Sequence, residues 1–269
     1  MGPVRIPNAK HYTASYLARR EIWAEAYEAI ADVLVARFGR SSVVDVGCAA
    51  GHLVEALRRR GLPAMGVDGA PDAPSFWPGE HRSSYIHADL AAPATRLPPT
   101  EGVCCLEVAE HLPASVAGRL VSLLLCHRPQ WVVFTAAPPG ASRDPSHMNE
   151  QPYYYWAALF ADRGYALDAG LTCSLRVPLR RHGGVPYWYV RNLLAFRPSD
   201  SGRWPLEEDW VALERRFLRT DRLQVLAMRQ VNLADVDAHL KEAEALLSLT
   251  EARFYVDAEG HIVVAPGDA

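Results

Sequence analysis

The sequence has no Cys-x-x-Cys pair and no cysteine–histidine cluster at ligand spacing, which argues against a structural zinc framework; no metal site is expected. Its five cysteines, Cys48, Cys104, Cys105, Cys126 and Cys173, are odd in number, and three stand in apolar runs. Reduced thiols in a cytoplasmic protein are therefore expected, not a disulfide scaffold. No run reaches the ~18 apolar residues of a membrane span, and the opening MGPVRIPNAKHY has no apolar stretch of a secretory leader. A long basic run is also missing. With 28 Lys and Arg against 31 Asp and Glu the net charge is −3. Duplex nucleic acid selects for a basic face, so this balance argues against such a partner, the short patch from Arg176 to Arg181 aside. What the chain does have is apolar mass: 49% of 269 residues, enough for one generous domain or a domain with an appendage.

Apolar positions between residues 12 and 38 recur at three- and four-residue steps (Tyr16, Ile22, Trp23, Ala26, Ile30, Val33, Leu34). They predict a helix that Gly39 ends. Strands are expected in SSVVDVG, PAMGVD, SYIHADL, GVCCLEV and PQWVVFT, and helices in HLVEALRRRG and EQPYYYWAALFADRGY. Strand-like composition returns at Leu171–Val177 and Trp188–Phe196. Strand and helix thus alternate from 43 to 197, the pattern of an α/β fold with an open parallel sheet covered on both faces. The chain divides into an N-terminal helical lid (1–42), the alternating domain (43–197) and a helical appendage with a terminal hairpin (198–269). The polar helical stretch 206–249 offers either a solvated amphipathic cover or a homodimer contact.

Ligands of such sheets bind at the carboxyl ends of the strands, near the switch in strand order. The local signals collect there. In Val43-Val44-Asp45-Val46-Gly47-Cys48-Ala49-Ala50-Gly51, Gly47 lets the chain turn sharply and a ligand approach the backbone. The spacing is G-x-x-x-G, not the three glycines of a dinucleotide fingerprint, so it suits a zwitterionic amino-acid tail better than a pyrophosphate. Asp68, 21 positions after Gly47, ends the second strand, where an acid accepts ribose hydroxyls; a turn-forming Asp is its plainer reading. Asp89 ends the third strand and reads equally as an adenine ligand or a cap.

VVDVGCAAGHLVEAL, GVDG, HADL and CLEVAEHLP, in this order, resemble the motifs of class I S-adenosylmethionine (SAM)-dependent methyltransferases. FTAAPPG, SHMNEQPYYYWAALFADRGY and VPYWYVRNLLAF resemble a bacterial branch associated with glycan or specialised-metabolite pathways. The resemblance covers about residues 43–197 and implies a Rossmann-like, mostly parallel sheet with SAM as cofactor. By position it implies that Asp45, Gly47, Cys48, Ala49 and Gly51 hold the methionine part. Asp68 would bind the ribose, Asp89 and Leu90 would flank the adenine, and Glu107 would lie beside the cofactor. The family loop usually carries a further glycine where Ala49 stands, a change that narrows the pocket.

For catalysis the polar groups expected near the site include Glu107, Glu110 and Tyr187, with His111, His147, Asn149 and Tyr189 as the catalytic candidates. Methyl transfer asks for alignment, and a hydroxyl acceptor asks for a base such as His111 or His147. Plainer readings stand beside these: His111 as a helix-face residue paired to a carboxylate, His147 as a loop cap, Asn149 as the cap of the Glu150 helix. Tyr12 and Tyr16 read as a cofactor lid or as packing. The expected function is SAM-dependent methyl transfer to an oxygen or nitrogen of a small molecule. One alternative is a SAM cyclase making azetidine-2-carboxylate and methylthioadenosine, with Asn149 and Tyr187 or Tyr189 closing the pocket. Another is a non-catalytic SAM-binding subunit.

Overall fold

A computed structural model describes residues 12–77, 79–139, 144–182, 184–199, 253–256 and 262–265. The first helix, α1 (Ala14–Arg19), begins where the Thr13 hydroxyl accepts the Tyr16 N–H. The expected long helix is broken: Arg20–Trp23 winds into a tight 3-10 turn before α2 (Ala24–Phe38). Gly39, at φ 66°, ends α2 as its sequence position predicts.

The sheet strands follow: β1 (Val43–Val46), β2 (Ala64–Asp68), β3 (Tyr85–His87), β4 (Gly102–Leu106) and β5 (Trp131–Thr135). Between them lie α3 (His52–Arg59) and α4 (Ala117–Leu124). The remainder is α5 (Tyr153–Ala161), β6 (Tyr165–Leu167), α6 (Ala169–His182), α7 (Tyr187–Asn192) and β7 (Leu194–Pro198). Seven strands form one sheet in the order β3-β2-β1-β4-β5-β7-β6. The first five are parallel, and β7 runs antiparallel between β5 and β6. The chain travels outward from β1 to β3 and then returns to the other side of β1 as β4, so the strand order reverses between β1 and β4.

Parallel strands covered on both faces must be apolar throughout, and alternate residues divide between two cores. Val44, Val46, Cys105 and Phe134 face α4 and α5, where Leu120, Trp156 and Phe160 are buried. Val43, Cys104 and Val133 face α2, α3, α6 and α7 through Ile30, Leu57, Leu175 and Val190. In the aromatic block, Tyr153 and Trp156 go inward while Tyr154 and Tyr155 stay partly exposed, the division helical spacing requires.

Two expectations are corrected. Leu171–Val177 is not a strand but the middle of α6. Asp168 starts that helix: its side chain accepts the Leu171 N–H at 2.7 Å and its carbonyl the Thr172 N–H at 2.8 Å. Likewise only the end of Trp188–Phe196 is strand; α7 occupies its first part. Near the C-terminus β8 (Arg253–Val256) pairs antiparallel with β9 (Ile262–Ala265), the expected hairpin pairing. The helices and dimer contact expected over 206–249 lie outside the described residues.

Candidate functional site

At the carboxyl ends of β1 to β4 the structure opens a cavity of about 660 Å3, counting its mouth. Gly47, Ala49, Asp68, Asp89, Leu90 and Glu107 wall one side; Tyr12, Tyr16 and Arg20 from the N-terminal segment wall the other.

The first turn is built around two side chains that leave no room for others. Gly47 sits at φ 81°, and a Cβ there would come within 2.2 Å of Val108 Cγ2. Gly51, at φ 83°, would put a Cβ 2.7 Å from the Trp77 ring, which fills the space between Gly51 and Gly66. The Trp77 Nε1–H donates to the Ala49 carbonyl at 3.2 Å. Ala49 itself is left-handed at φ 48°, a conformation that costs an L-residue about 1–2 kcal/mol. This is the position where the resembled family has glycine.

Asp68 closes the same turn from β2. Its Oδ2 accepts the Ala49 N–H at 2.8 Å and its Oδ1 the Ala70 N–H at 2.6 Å. Burial raises its pKa, and those backbone N–H groups hold the rise back. Asp89 spends one oxygen on the Ala91 N–H at 2.8 Å in a loop turn that no helix follows, and the residue lines the cavity. Asp45 is buried beneath the floor; desolvation, helped by Asp68, pushes its pKa up to about 7, with Arg20 opposing. Cys48 is buried with Sγ directed at Gly66, so it contributes backbone to the turn and no side chain to the cavity walls.

Arg20 is the residue that sequence reading missed. Its Nη2 donates to the hydroxyls of Tyr27 at 3.0 Å and Tyr189 at 2.9 Å, while its Nε is buried without a partner among the described residues. A guanidinium held on a cavity wall with an unsatisfied N–H suits an anionic ligand group. Tyr189, expected among the catalytic groups, is buried and reaches the cavity only through Arg20.

Past β4 the chain turns at Glu107 with φ 54°. Thr135 fixes that turn, its hydroxyl and carbonyl accepting the Glu107 N–H at 2.7 and 3.1 Å. Asn192 donates to the Glu107 carboxylate at 3.2 Å and is itself held by the Tyr153 hydroxyl at 3.1 Å. Burial raises the Glu107 pKa against those bonds.

Next to it, residues 144–149 are laid across 109–111. The N–H groups of Met148 and Asn149 donate to the Glu110 carbonyl at 2.8 and 3.0 Å, and the Asn149 side chain reaches the Ala109 carbonyl at 3.5 Å. Asn149 therefore does not cap α5, which starts behind Pro152. His111 lines the cavity, with Tyr12 edge-on at 5.7 Å and His147 edge-on at 4.8 Å. Desolvation and the neighbouring His147 depress the His111 pKa to about 4, so the ring is neutral at pH 7. Of the four catalytic candidates His111 lines the cavity; His147 stands behind it, and Asn149 and Tyr189 support the walls.

A family model described as "Methyltransferase domain" matches residues 16–175. No curated protein matches the chain. Among solved structures, the sugar N-methyltransferase of Streptoalloteichus sp. ATCC 53650 is 17% identical, with a TM-score of 0.50 over 70% of this chain and 93% of its own. The 1,6-didemethyltoxoflavin-N1-methyltransferase of Burkholderia thailandensis is 14% identical, with a TM-score of 0.50 over 74% and 93%. A SAM-dependent methyltransferase of Archaeoglobus fulgidus is 17% identical, with a TM-score of 0.50 over 68% and 98%. At these identities the likeness is one of fold.

Proposed function

We propose, because this chain belongs to the methyltransferase-domain family that matches residues 16–175, that it transfers the methyl group of SAM to an oxygen or nitrogen of a small molecule. The observation that carries this is the joint wall of Gly47, Asp68, Asp89 and Glu107, four strand ends in succession, facing Arg20. SAM is an amino acid joined to a nucleoside, and the wall has a matching order of groups. Gly47 lines the cavity with bare backbone, which supports close approach of a ligand. Asp68 keeps acceptor capacity for ribose hydroxyls beyond its two backbone bonds. Asp89 and Leu90 flank the adenine, the Arg20 guanidinium faces the carboxylate, and Asp45 supports the turn from beneath.

Bound SAM supplies an electrophilic methyl on a sulfonium. The chain's own part is positioning, which can supply a large share of such a rate. Tyr12, Tyr16, His111 and Leu112 line the acceptor side of the cavity. Residues 12–20 act as a lid: Leu17 packs on Ala70 and Ala73, and the Ala14 N–H donates to Asp72 at 2.8 Å. That enclosure supports a small acceptor, as do two fold relatives whose substrates are a sugar and a toxoflavin precursor. The finer reading is an acceptor from glycan or specialised metabolism in the cytoplasm. SAM cyclisation has less support, since Asn149, Tyr187 and Tyr189 are absent from the described cavity wall.

The test is incubation with SAM, alone and with acceptor panels of amino sugars, sugars and nitrogen heterocycles, following nucleosides by chromatography. S-adenosylhomocysteine that forms only with an acceptor is the expected result. Methylthioadenosine released from SAM alone would overturn methyl transfer in favour of cyclisation.

A further inference from the structure

Glu110 is fully buried beside the Glu107 carboxylate and near the Ala137 N–H, and among the described residues neither of its carboxylate oxygens makes a hydrogen bond of ordinary geometry. A carboxyl group in that position costs several kcal/mol unless something compensates it. Beside it stand His111 and His147, and one ligand atom from each of the three residues lies within 4.8 Å of the others.

The hydrogen-bond network also sets the histidine tautomers. The Ser146 hydroxyl donates to Asp144 Oδ1 at 2.6 Å, so toward His111 Nδ1, 3.0 Å away, it can only accept. The His111 proton is thus on Nδ1, and Nε2 carries the free lone pair. His147 Nδ1 faces the Glu150 carboxylate at 2.7 Å, which again holds the proton on Nδ1 and leaves Nε2 as an acceptor. Two imidazoles whose far nitrogens are tied to a carboxylate or a carboxylate-backed hydroxyl, next to a buried carboxylate, is the arrangement that orients histidines as metal ligands.

We propose that Glu110, His111 and His147 hold a divalent first-row transition-metal ion, with a coordination position open toward the cavity. Two nitrogens and one oxygen suit Mn2+, Fe2+, Co2+ or Zn2+ better than Mg2+ or Ca2+, which take oxygen sets. Three protein ligands leave at least one position for an outside group. Ligands each about 2.1 Å from one ion stand roughly 3.4 Å apart in a tetrahedron, so the cluster closes by about 1.4 Å or less, within reach of side-chain rotation. The backbones need not move: the Glu110 carbonyl already ties the two segments together through Met148 and Asn149. Because His111 is also a cavity wall, the open position adjoins the acceptor side, a placement that matters for catalysis only if the methyl-transfer reading holds.

The experiment uses the untagged full chain, stripped with a chelator, dialysed and titrated with Co2+ alone. One equivalent should bind with visible d–d absorption, and azide should then shift that spectrum by entering the open position. His147→Ala and Glu110→Gln should each weaken binding at least tenfold, with folding checked by circular dichroism. Glu150→Gln, which touches no ligand atom of the ion, should weaken it about 10- to 100-fold. No stoichiometric Co2+ binding, or binding that His147→Ala leaves unchanged, overturns the site and makes Glu110 a neutral buried acid; a spectrum indifferent to azide overturns the open position. Neither SAM nor acceptor is present, so a failed titration leaves the methyl-transfer reading untouched, and the reverse holds too.

Discussion

Gly47→Ala tests the close packing under the cofactor turn. The new methyl would sit 2.2 Å from Val108 Cγ2 and 2.9 Å from Cγ1, on a residue at φ 81°. The left-handed backbone costs about 1 kcal/mol with a Cβ, and forcing a methyl into a filled site costs about 1–3 kcal/mol more. Gly47→Ala should therefore destabilise by about 2–4 kcal/mol in urea unfolding with m unchanged. Val108 is 9% exposed, and Val108→Ala alone should cost roughly 2 kcal/mol. Combined, the two should not add. The double variant loses the clash and keeps only the backbone cost and the Val108 cavity, about 3 kcal/mol in all. A coupling energy of about 1–3 kcal/mol follows. Additivity to within about 0.5 kcal/mol would refute the steric argument and leave the glycine explained by its dihedral angle alone.

Ala49→Gly should act in the opposite direction, relieving the φ of 48° and gaining about 1 kcal/mol in the same unfolding assay. Asp45 links stability to pH. Its pKa rises from the usual 3.8 to about 7 on folding, so the unfolded chain loses this proton first as pH rises. Its contribution to stability is full below pH 4, falls by up to about 4 kcal/mol by pH 7 and is flat above; Asp45→Asn should remove that share of the slope in denaturation series run from pH 4 to 8, leaving the shares of Asp68 and Glu107. Arg20→Met should weaken S-adenosylhomocysteine binding about tenfold or more, the ~1.5–3 kcal/mol of a charge-assisted hydrogen bond, as measured by calorimetry. Asp68→Asn should cost cofactor affinity similarly, because Oδ1 and Oδ2 both serve the turn that receives the ligand.

What the sequence reveals here is whatever is encoded within a few residues. Gly47, Asp68, Asp89 and Glu107 each stand at the carboxyl end of a strand or within two residues of it, so the alternating pattern places them at one end of the sheet before any packing is known. Arg20 was not visible that way. Its partner Tyr189 is 169 positions distant, and only the fold joins them. The same holds for His111 and His147, 36 positions apart in chain and 4.8 Å apart between ring centroids. A search for close ligand spacing passes over them. The misread strand at Leu171–Val177 had a local signal after all: Asp168 three residues before Leu171 is an N-cap spacing, outvoted by β-branched and apolar composition.

Strand β7 also constrains how the protein is made. It is the middle strand of the trio β5-β7-β6 and the last of the three to be synthesised. Until residues 194–198 leave the ribosome, β5 has an unpaired edge and β6 has no sheet to join. The cofactor turn, by contrast, draws on β1, β2, Trp77 and Val108, all complete by residue 108. From the end of β5 at residue 135 to the start of β7 at residue 194 the nascent chain therefore carries its cofactor turn beside a sticky, unfinished edge. Translation arrest or truncation in that interval should yield aggregation more readily than a partly active fragment.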